Sequence, residues 1–379
     1  MYYIKFKRRL VHPTQILINT QQLISNLNSI KQHVGDNVKL CLPVKANAYG
    51  HGLSGISKLA EPYVDYLAVS CLDEGRLLRD IGIKKPILVF GAFDEEQIAG
   101  LINHDLEVTI SSLYKAQLLV DFCEMYRVIC KVHIKIDSGM NRVGVRNTSA
   151  AGLIDYVLAH PCLDLCGVYS HLAASDETDK QLTHMQIEQF KGVAQYAKEQ
   201  KSDIICHLAN SGGVAYFAES YFDMVRPGLL SYGYFPAHSI DTLPLKSIKP
   251  CFSLITRVSY FKVVCANSGI SYNHRYKTIS DTRVVTLPIG YGDGYRRGLS
   301  NLGEVIIRGK KYTISGTICM DMLMVDIGAD GEAYVGDEVI LIGRSGESEI
   351  TLASIAMKLN TIVYEVLVGF NERIPRVYY

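Results

Sequence analysis

The sequence predicts an α/β fold: a (β/α)8 TIM barrel within residues 1–245, followed by a mainly β C-terminal domain over residues 246–379. The length of 379 residues exceeds the roughly 100–200 residues of an ordinary domain, which indicates two domains. Eight short apolar runs alternate with segments of helical spacing in the first part, and eight parallel strands close such a barrel. In the second part, strand-like segments follow one another with Gly, Asn and Asp turns between them.

The barrel strands are predicted from short runs of β-branched and apolar residues. Helices are predicted between them from capping residues, such as Ser112 before one apolar stripe and Asp179 before another. An open doubly wound sheet is the alternative, but it calls for a glycine-rich turn after the first strand, where the sequence has KANAYG (45–50). The predicted strands are residues 38–44, 65–70, 86–90, 107–110, 131–136, 165–170, 204–208 and 223–226.

The predicted C-terminal domain contains one helical stretch, from Thr351 to about Leu367. Residues 15–18 (QILI) form a further predicted strand before the first barrel helix, and this strand can pair with the second domain. The other strand-like segments lie within residues 251–264, 282–290, 303–328 and 337–343.

The composition excludes several classes of protein. Hydrophobic residues make up 48% and charged residues 20%, which is typical of a globular chain and not of a disordered one. The 39 basic and 38 acidic residues give a net charge of +1, so neither nucleic acid nor an anionic membrane surface is an expected partner. The basic N-terminus is not followed by a long apolar stretch and a small-residue cleavage site, so no signal peptide is expected, and the apolar runs are too short to cross a bilayer. We therefore expect a cytoplasmic protein.

The ten cysteines are scattered and form no C-x-x-C pair, which disfavours a zinc site or a dithiol motif. No metal site is expected. In the absence of an export signal, the simplest interpretation is that all ten are reduced thiols.

Polar residues follow the predicted barrel strands at the end where TIM barrels carry their catalytic groups. Because these strand ends converge on one mouth of the barrel, we expect the residues to form a single site. They are Lys45 and Tyr49 after strand 1, residues 137–142 (DSGMNR) after strand 5, His171 after strand 6, residues 210–213 (NSGG) after strand 7, and Arg226 and Gly228 after strand 8.

Two of these segments have a specific chemical interpretation. The segment from Asn210 and Ser211, together with Gly228, offers a hydroxyl group and closely approachable backbone N–H donors where barrels commonly bind phosphate. Lys45 ends a buried strand, and desolvation would lower its pKa toward that of a nucleophile and base. Ordinary turns and a solvated strand-end lysine are the alternatives. A Schiff-base lysine and a phosphate cradle at one barrel mouth together suggest pyridoxal 5′-phosphate.

The sequence resembles the alanine racemase family over essentially the whole chain, and the matching segments occur in the same order as in that family. Residues 44–52 (VKANAYGHG) look like the pyridoxal phosphate attachment motif of that family. The other matching segments are 135–142 (KIDSGMNR), 170–176 (SHLAASD), 207–211 (HLANS), 225–228 (VRPG), 271–272 (SY), 288–294 (PIGYGDG), 319–321 (CMD) and 364–365 (YE).

The resemblance implies a homodimer of barrel-plus-β-domain subunits, in which the C-terminal domain of one subunit supplies Tyr272 to the active site of its partner. It implies that Lys45 carries the cofactor. Arg226 would hydrogen-bond the pyridine nitrogen, with His207 steadying it. The residues implied to hold the cofactor phosphate are Tyr49, Ser211, Gly228, Leu229 and Tyr364, beside Asn210.

Four further roles follow from the resemblance. His171 would lie between Arg226 and Tyr272. Arg142 would contact the phenolic oxygen of the cofactor and the substrate carboxylate, and Met320 would offer that carboxylate a backbone contact. Lys135 matches a lysine that is carbamylated in some members of the family.

Racemisation needs an acid–base group on each face of the α-carbon. Lys45 and Tyr272 are the expected pair, with Lys45 acting on the D-enantiomer and Tyr272 on the L-enantiomer of alanine. The implied role is the supply of D-alanine for peptidoglycan. Because an arginine stays protonated, Arg226 would leave the cofactor ring a weaker electron sink than a carboxylate would.

Two departures from the family pattern leave alternatives open. Asn141 stands where the family usually has Gly, which we expect to matter little because Asn tolerates left-handed backbone. Tyr272 is followed by residues 273–275 (NHR) instead of the commoner Gly-x-Thr, so a racemase of serine, lysine or broader range is the nearest alternative. A pyridoxal phosphate carrier and a decarboxylase of basic amino acids are more distant ones.

Overall fold

The computed structural model describes residues 12–235 and 245–379. The basic N-terminal segment, for which no signal peptide is predicted, lies outside the described residues up to residue 11. The described residues form two compact units: Thr20–Ala48 with Gly52–Cys251, and Phe252–Tyr379 with Tyr49–His51 and residues 12–19. The predicted domain boundary at 245/246 adjoins residues that are not described, and it stays a prediction.

The first unit is an eight-stranded parallel barrel, which confirms the predicted fold class. Each strand pairs in parallel with the next one in sequence. This includes the fourth and fifth strands, in which Val108 lies opposite Val132. Strand 8 pairs with strand 1, so the sheet closes. We number the barrel strands 1 to 8: Lys39–Pro43, Tyr66–Val69, Ile87–Val89, Glu107–Ile110, Cys130–Asp137, Leu163–Tyr169, Ile205–His207 and Met224–Val225.

Helices lie between successive barrel strands, as the sequence patterns predict. The side chain of Ser112 accepts a hydrogen bond from the Lys115 N–H and caps its helix, as predicted. The N-cap of the helix Gln181–Gln200 is Lys180, which makes no side-chain cap, and Asp179 one residue earlier accepts a hydrogen bond from the Gln181 N–H. The helices are Thr20–Val34, Leu53–Ala60, Leu72–Asp80, Ile98–Asn103, Leu113–Tyr126, Asn147–Leu158, Gln181–Gln200, Ser211–Tyr216 and Gly228–Ser231, with 3-10 turns at Glu61–Tyr63, Glu95–Gln97 and Ala218–Ser220.

The second unit is mainly β, as predicted. Its largest sheet runs in the order Lys310–Thr313, Glu304–Ile307, Glu338–Ser345, Phe252–Arg257, Gln15–Ile18 and Arg376–Tyr378, with Ser348–Ile350 beside Glu338–Ser345. Smaller sheets are formed by Tyr260–Val264, Thr282–Leu287 and Leu323–Asp326, and by Gly269–Ile270 with Tyr276–Lys277.

The strand predicted at residues 15–18 is part of this second unit. Gln15–Ile18 pairs antiparallel with Phe252–Arg257 and parallel with Arg376–Tyr378. The N-terminal strand therefore lies in the sheet of the C-terminal domain, which confirms the predicted pairing.

The helix predicted from Thr351 to Leu367 is two helices, Leu352–Lys358 and Val363–Val368. The interruption is a Schellman turn, in which Asn360 adopts a φ of 51° and the Thr361 N–H bonds the Ala356 carbonyl. Asparagine tolerates this left-handed conformation, so the helix ends here without a glycine or proline. The apolar spacing continues past this helix end, which is why the sequence pattern predicted one helix. None of the described helices combines the length and the apolar character needed to cross a membrane.

Candidate active site

Lys45 directly follows the end of barrel strand 1 and begins a left-handed turn. The φ angles of Ala46, Asn47, Ala48 and Tyr49 are 52°, 55°, 52° and 53°. Left-handed backbone costs a residue other than Gly about 1–2 kcal/mol, and four successive residues hold it here. Strain of this kind persists only where surrounding contacts enforce it, and it concentrates at functional sites.

Two side chains enforce this turn. Glu74, in the first turn of the helix Leu72–Asp80, accepts hydrogen bonds from the Ala46 N–H and the Ser70 N–H, each at 2.7 Å. The Asn47 side chain accepts one from the Leu53 N–H at 2.7 Å, and this starts the next helix. The sequence pattern did not indicate Glu74, because nothing in a helical stripe shows that a carboxylate reaches back to the preceding loop.

The Lys45 ammonium group lies in a site that disfavours its charge. Burial lowers its pKa below the ordinary value for a lysine, and the positive charges of Arg142 and Arg226 lower it further, against an opposing effect of Glu74. Its Nζ also lies 5.8 Å from the centre of the Phe90 ring. A lysine held in this way has a larger neutral, nucleophilic fraction than an exposed one.

The loop after strand 5 is organised by Asp137. One carboxylate oxygen of Asp137 accepts hydrogen bonds from the N–H groups of Gly139 and Asn141, each at 3.0 Å. Burial alone would raise the pKa of this carboxyl, but the backbone N–H donors outweigh it and hold the pKa below its ordinary value. Asn141 has a φ of 56°, so the Asn at the family's usual Gly position adopts the left-handed backbone expected of it. Arg142 follows, and it is exposed.

Lys135 is buried in the barrel, where its Nζ lies 4.8 Å from the centre of the Tyr169 ring and donates to the Ile136 carbonyl at 3.3 Å. Burial holds its pKa well below the ordinary value, with further contributions from Arg226 and Arg142. A lysine in this environment has a larger neutral fraction than an exposed one.

Arg226, just past strand 8, is buried and is held by neutral groups. It donates to Nδ1 of His207 at 2.7 Å and to the carbonyls of Ser170 and Leu208 at 2.6 and 2.9 Å, and Nδ1 of His171 lies 3.5 Å away. Burial lowers the pKa of the guanidinium to about 10, so the group remains a protonated donor at neutral pH. The guanidinium carbon also lies 5.3 Å from the centre of the Tyr169 ring.

Both histidines beside Arg226 are held neutral. Burial lowers the pKa of His207 well below the ordinary value, and the charge of Arg226 acts in the same direction. Burial and Arg226 have the same effect on the pKa of His171. A neutral imidazole facing an arginine accepts its hydrogen bond, whereas a charged one would repel it.

The segments predicted to hold phosphate meet after strands 7 and 8. The hydroxyl of Ser211 accepts a hydrogen bond from the Leu230 N–H at 3.1 Å, which joins the two loops. The Asn210 side chain accepts one from the Gly213 N–H at 3.0 Å and so caps the short helix Ser211–Tyr216. Gly228 begins the next short helix, and Leu229 follows it; both are buried. The first N–H groups of each helix have no acceptor within the helix itself.

A buried glutamine connects the loops after strands 5 and 6, and sequence reasoning missed it. Gln186 donates to the hydroxyl of Ser138 at 3.3 Å and to the carbonyl of His171 at 3.1 Å, and it accepts from the Ala173 N–H. The Ser138 and Ser170 hydroxyls are 2.7 Å apart. Its position in an apolar helical stripe was the only sequence signal.

Two other missed residues, Glu107 and His133, lie inside the barrel. Nε2 of His133 bonds the Glu107 carboxylate at 2.7 Å, and its Nδ1 is 3.0 Å from Nε2 of His207. The alternation of His133, Lys135 and Asp137 along strand 5 signals one shared face. Nothing in the sequence pairs that face with Glu107.

The remaining predicted residues lie in the second unit. The rings of Tyr49 and Tyr364 are 6.0 Å apart, so the two tyrosines predicted to hold phosphate are neighbours. Tyr272 is 67% exposed and Met320 is 53% exposed. The carbonyl of Met320 accepts a hydrogen bond from the Gly292 N–H at 2.8 Å.

Tyr272 stands on a turn of unusual backbone. Its neighbours Ser271, Asn273 and His274 have φ angles of 62°, 60° and 46°. The Tyr272 carbonyl accepts a hydrogen bond from the Thr317 hydroxyl at 3.1 Å. A pocket of about 380 Å³ is lined by Ser271, Tyr272, Asn273, His274 and Cys319.

The structure therefore places the predicted site residues in two groups. The barrel group, whose charges act on one another, contains Lys45, Lys135, Arg142, His171, His207 and Arg226, with Asn210, Ser211, Gly228 and Leu229 on the adjoining loops. The second group contains Tyr49 and Tyr364 in one place and Tyr272 and Met320 on other segments of the C-terminal domain.

Comparison with known proteins gives one consistent result. The family model "Alanine racemase, N-terminal domain" matches residues 18–236, and "Alanine racemase, C-terminal domain" matches residues 251–378. The chain is 39% identical to an alanine racemase of Halothermothrix orenii, over 98% of each chain. It is 37% identical to alanine racemase 2 of Caldanaerobacter subterraneus, over 97% of this chain and 95% of that one.

Solved structures agree with the sequence comparison. An alanine racemase of Clostridium difficile 630 is 36% identical, with a TM-score of 0.90 over 98% of this chain and 97% of that one. The Bacillus anthracis alanine racemase with bound L-Ala-P is 32% identical, with a TM-score of 0.91 over 98% and 96% of the two chains. With both family models matched in order and relatives alike over nearly their full length, the chain belongs to the alanine racemase family of pyridoxal phosphate-dependent isomerases, as its motifs predict.

Proposed function

We propose that this protein interconverts L-alanine and D-alanine with pyridoxal 5′-phosphate attached to Lys45. The observation that carries the proposal is the state of Lys45: a strand-end lysine with a lowered pKa, on an enforced left-handed turn, among cationic side chains. Membership of the alanine racemase family supplies the reaction class.

The donor set at the barrel mouth fits such a cofactor. The cofactor carries a phosphate and a phenolic oxygen, both negatively charged or electron-rich. The positive side chains of Lys45, Arg142 and Arg226 would complement these groups. Arg226 offers the pyridine nitrogen a protonated donor. The N–H groups and hydroxyl on the loops after strands 7 and 8 suit the phosphate. The residues that would hold it are Tyr49, Asn210, Ser211, Gly228, Leu229 and Tyr364.

When bound, the cofactor withdraws electrons from the α-carbon of the amino acid and makes its proton more acidic. The chain's own residues then have to take a proton from one face and return one to the other. Lys45 serves one face because its lowered pKa gives it a larger neutral fraction than an exposed lysine. Tyr272 serves the other, Lys45 acting on D-alanine and Tyr272 on L-alanine.

Two arginines and a backbone group orient the reacting partners. Arg142 and the backbone of Met320 would bind the substrate carboxylate. Arg226 keeps its proton, so it would not protonate the pyridine nitrogen and make the cofactor ring positively charged. The α-carbon then remains the preferred place for the proton to return.

The proposed assembly is a homodimer with shared active sites, in which residues 246–379 of one subunit complete the barrel site of the other. Tyr272 is 67% exposed in the single chain, and a base must work away from bulk water, which supports a covering partner. His171 is proposed to lie between Arg226 and the partner subunit's Tyr272.

Lys135 is proposed to be carbamylated. A neutral amine adds carbon dioxide and releases a proton, and the resulting carbamate is an anion. Lys135 has the depressed pKa that this addition needs, and Arg142 and Arg226 are the cations that would stabilise the anion. The carbamate would in turn orient Arg142.

The substrate is proposed to be alanine, and the product D-alanine is proposed to serve peptidoglycan synthesis. Residues 273–275, which depart from the family pattern, line or adjoin the pocket beside Tyr272. A wider pocket at that position would admit serine or a longer amino acid.

The test is racemisation of a panel of single L-amino acids by the purified protein, with chiral chromatography of the products. We expect D-alanine to appear fastest and to vanish with Lys45→Ala. Lys39→Ala, which removes an exposed lysine at the opposite end of the same strand, is the control and should keep full activity. A protein that binds the cofactor and racemises nothing would support a carrier instead, and faster racemisation of another amino acid would change the proposed substrate.

A further inference from the structure

Four buried polar side chains form one hydrogen-bonded chain across the barrel interior. Arg226 donates to Nδ1 of His207 at 2.7 Å, Nε2 of His207 is 3.0 Å from Nδ1 of His133, and Nε2 of His133 is 2.7 Å from the Glu107 carboxylate. Each of the four is at most 4% exposed. The chain links a positive end at the barrel mouth to a negative end at the start of strand 4.

Only one arrangement of protons satisfies every contact in this chain. A guanidinium has no acceptor, so Nδ1 of His207 must accept, which places the His207 proton on Nε2. That N–H can only be met by a bare Nδ1 on His133, so the His133 proton is also on Nε2 and points at Glu107. The lowered pKa of His207, caused by burial and by Arg226, agrees with a neutral ring.

The surroundings hold the rings in register. A Cβ at Gly167 would approach Nδ1 of His133 to 2.4 Å, so only glycine leaves room for this ring. The Tyr169 ring stacks on His207 with centroids 4.8 Å apart and planes within 9°, and its hydroxyl is held by Thr109 at 2.9 Å. The imidazoles therefore keep their places, and what can change is the proton each nitrogen carries.

We propose that Glu107 is a positioning residue for Arg226. The Glu107 carboxylate fixes the tautomers of His133 and His207, and these in turn orient the Arg226 guanidinium. Without an acceptor at position 107, His133 is free to carry its proton on Nδ1. Its N–H would then face the N–H of His207 and drive that proton to Nδ1, against Arg226. The guanidinium would lose its acceptor and its fixed orientation. The inference rests on the proposed function only in taking Arg226 as the partner of the cofactor.

The test reads the tautomers directly, by ¹⁵N NMR of histidine-labelled holoenzyme, with the two signals assigned by His133→Asn and His207→Asn. The wild-type protein should show two neutral Nε2–H imidazoles. Glu107→Gln keeps a carbonyl oxygen for His133 and should preserve both tautomers, whereas Glu107→Leu removes the acceptor and should abolish the pattern. Asp65→Asn is the control. Asp65 accepts a hydrogen bond from the Leu40 N–H and is not part of the hydrogen-bonded chain from Arg226 to Glu107, so the imidazole signals of this variant should match wild type.

Gly167→Ala reaches the same link without touching Glu107. It should displace Nδ1 of His133 from His207, so the His207 signals should change while Glu107 still keeps the His133 proton on Nε2, and the inference stays testable even if Glu107→Leu fails to fold. Wild-type signals of another tautomer, Nε2–H signals that persist in Glu107→Leu, or a His133 proton that leaves Nε2 in Gly167→Ala, would overturn it.

Activity provides a second, separate reading. Glu107→Leu should lower kcat for alanine about tenfold or more, the loss typical when an outer hydrogen-bond partner is removed, while Glu107→Gln stays near wild type. Equal loss in both variants would contradict the role of an acceptor. If the wild-type protein racemises nothing, the proposed function fails, and the imidazole signals still decide the inference.

Discussion

The barrel and the C-terminal domain hold their candidate functional groups in different ways. In the barrel, Arg226 and His207 are buried and fixed by hydrogen bonds from several strands. In the C-terminal domain, Tyr272 is 67% exposed and is presented by a turn with left-handed backbone at three of its neighbours. One chain completes the barrel group by itself, whereas the tyrosine is presented but not enclosed by its own domain. In the proposed function, this exposed tyrosine acts as a base and needs a second surface to cover it.

The largest expected effect comes from removing the exposed tyrosine hydroxyl. Tyr272→Phe should slow racemisation about 10²–10⁴-fold, the usual contribution of a positioned acid–base group, because one face of the α-carbon loses its base. Cofactor absorbance should be unchanged. Chiral chromatography of timed reactions measures the loss.

The matched control is Tyr260→Phe, an exposed tyrosine of the same domain, which should keep wild-type activity. Full activity in Tyr272→Phe would remove Tyr272 from the site. The comparison between a closed barrel group and an open partner group would then lose its functional meaning.

The second effect is on the fate of the substrate. Arg226→Glu replaces a donor that keeps its proton with a carboxylate, which would favour a positively charged cofactor ring and a stronger electron sink. We expect more side transamination, seen as more pyruvate formed per D-alanine. Arg226→Lys keeps the positive charge and is the control, with a product ratio nearer to wild type. An unchanged ratio in Arg226→Glu would show that the neutral surroundings of Arg226 do not direct the reaction.

Much of the barrel group could be predicted because its signals are local. Strand ends are visible as the ends of β-branched runs, and the residues just beyond them, such as Lys45 and Arg226, converge by the geometry of a closed barrel. The pairing of residues 15–18 with the C-terminal domain was likewise visible, because an isolated strand needs a sheet.

The parts that could not be predicted depend on contacts across the fold. Glu107 is one polar residue in a buried strand, and its partner His133 is identified only by the register of strand 4 against strand 5. The left-handed turn after Lys45 contains no glycine at residues 46–49, so no local signal reveals it. The helix end at Asn360 was hidden because apolar spacing continues on both sides.

The third effect concerns the turn that Glu74 enforces. Glu74→Gln turns one of the two accepting oxygens into an NH₂ group facing a backbone N–H, which should lower the free energy of unfolding by about 1–2 kcal/mol. It should also lower the pKa of Lys45 further, because Glu74 is the charge that raises it. Guanidinium unfolding and the pH dependence of Lys45 modification measure the two effects.

Asp73→Asn is the control for Glu74, because Asp73 is the preceding residue on the same helix and its ion-pair partner within the described part of the chain is exposed Arg76. It should leave both quantities unchanged. An unaltered stability in Glu74→Gln would show that the barrel alone holds the turn.

The fourth effect is the response of the barrel group to acid. The pKa values of His171 and His207 are lowered in the folded protein, so below pH 6.5 the unfolded chain binds protons that the folded protein does not. The free energy of unfolding should therefore fall as pH drops from 6.5 toward the folded pKa values, by up to about 1.4 kcal/mol per pH unit for each histidine.

Unfolding at fixed protein concentration between pH 7.5 and 5 measures the slope. His207→Gln should flatten it, while His184→Gln, at an exposed helix position, should not. An equal slope in all three proteins would mean that the interior imidazoles do take up protons when folded, and the barrel group would be less closed than its hydrogen bonds indicate.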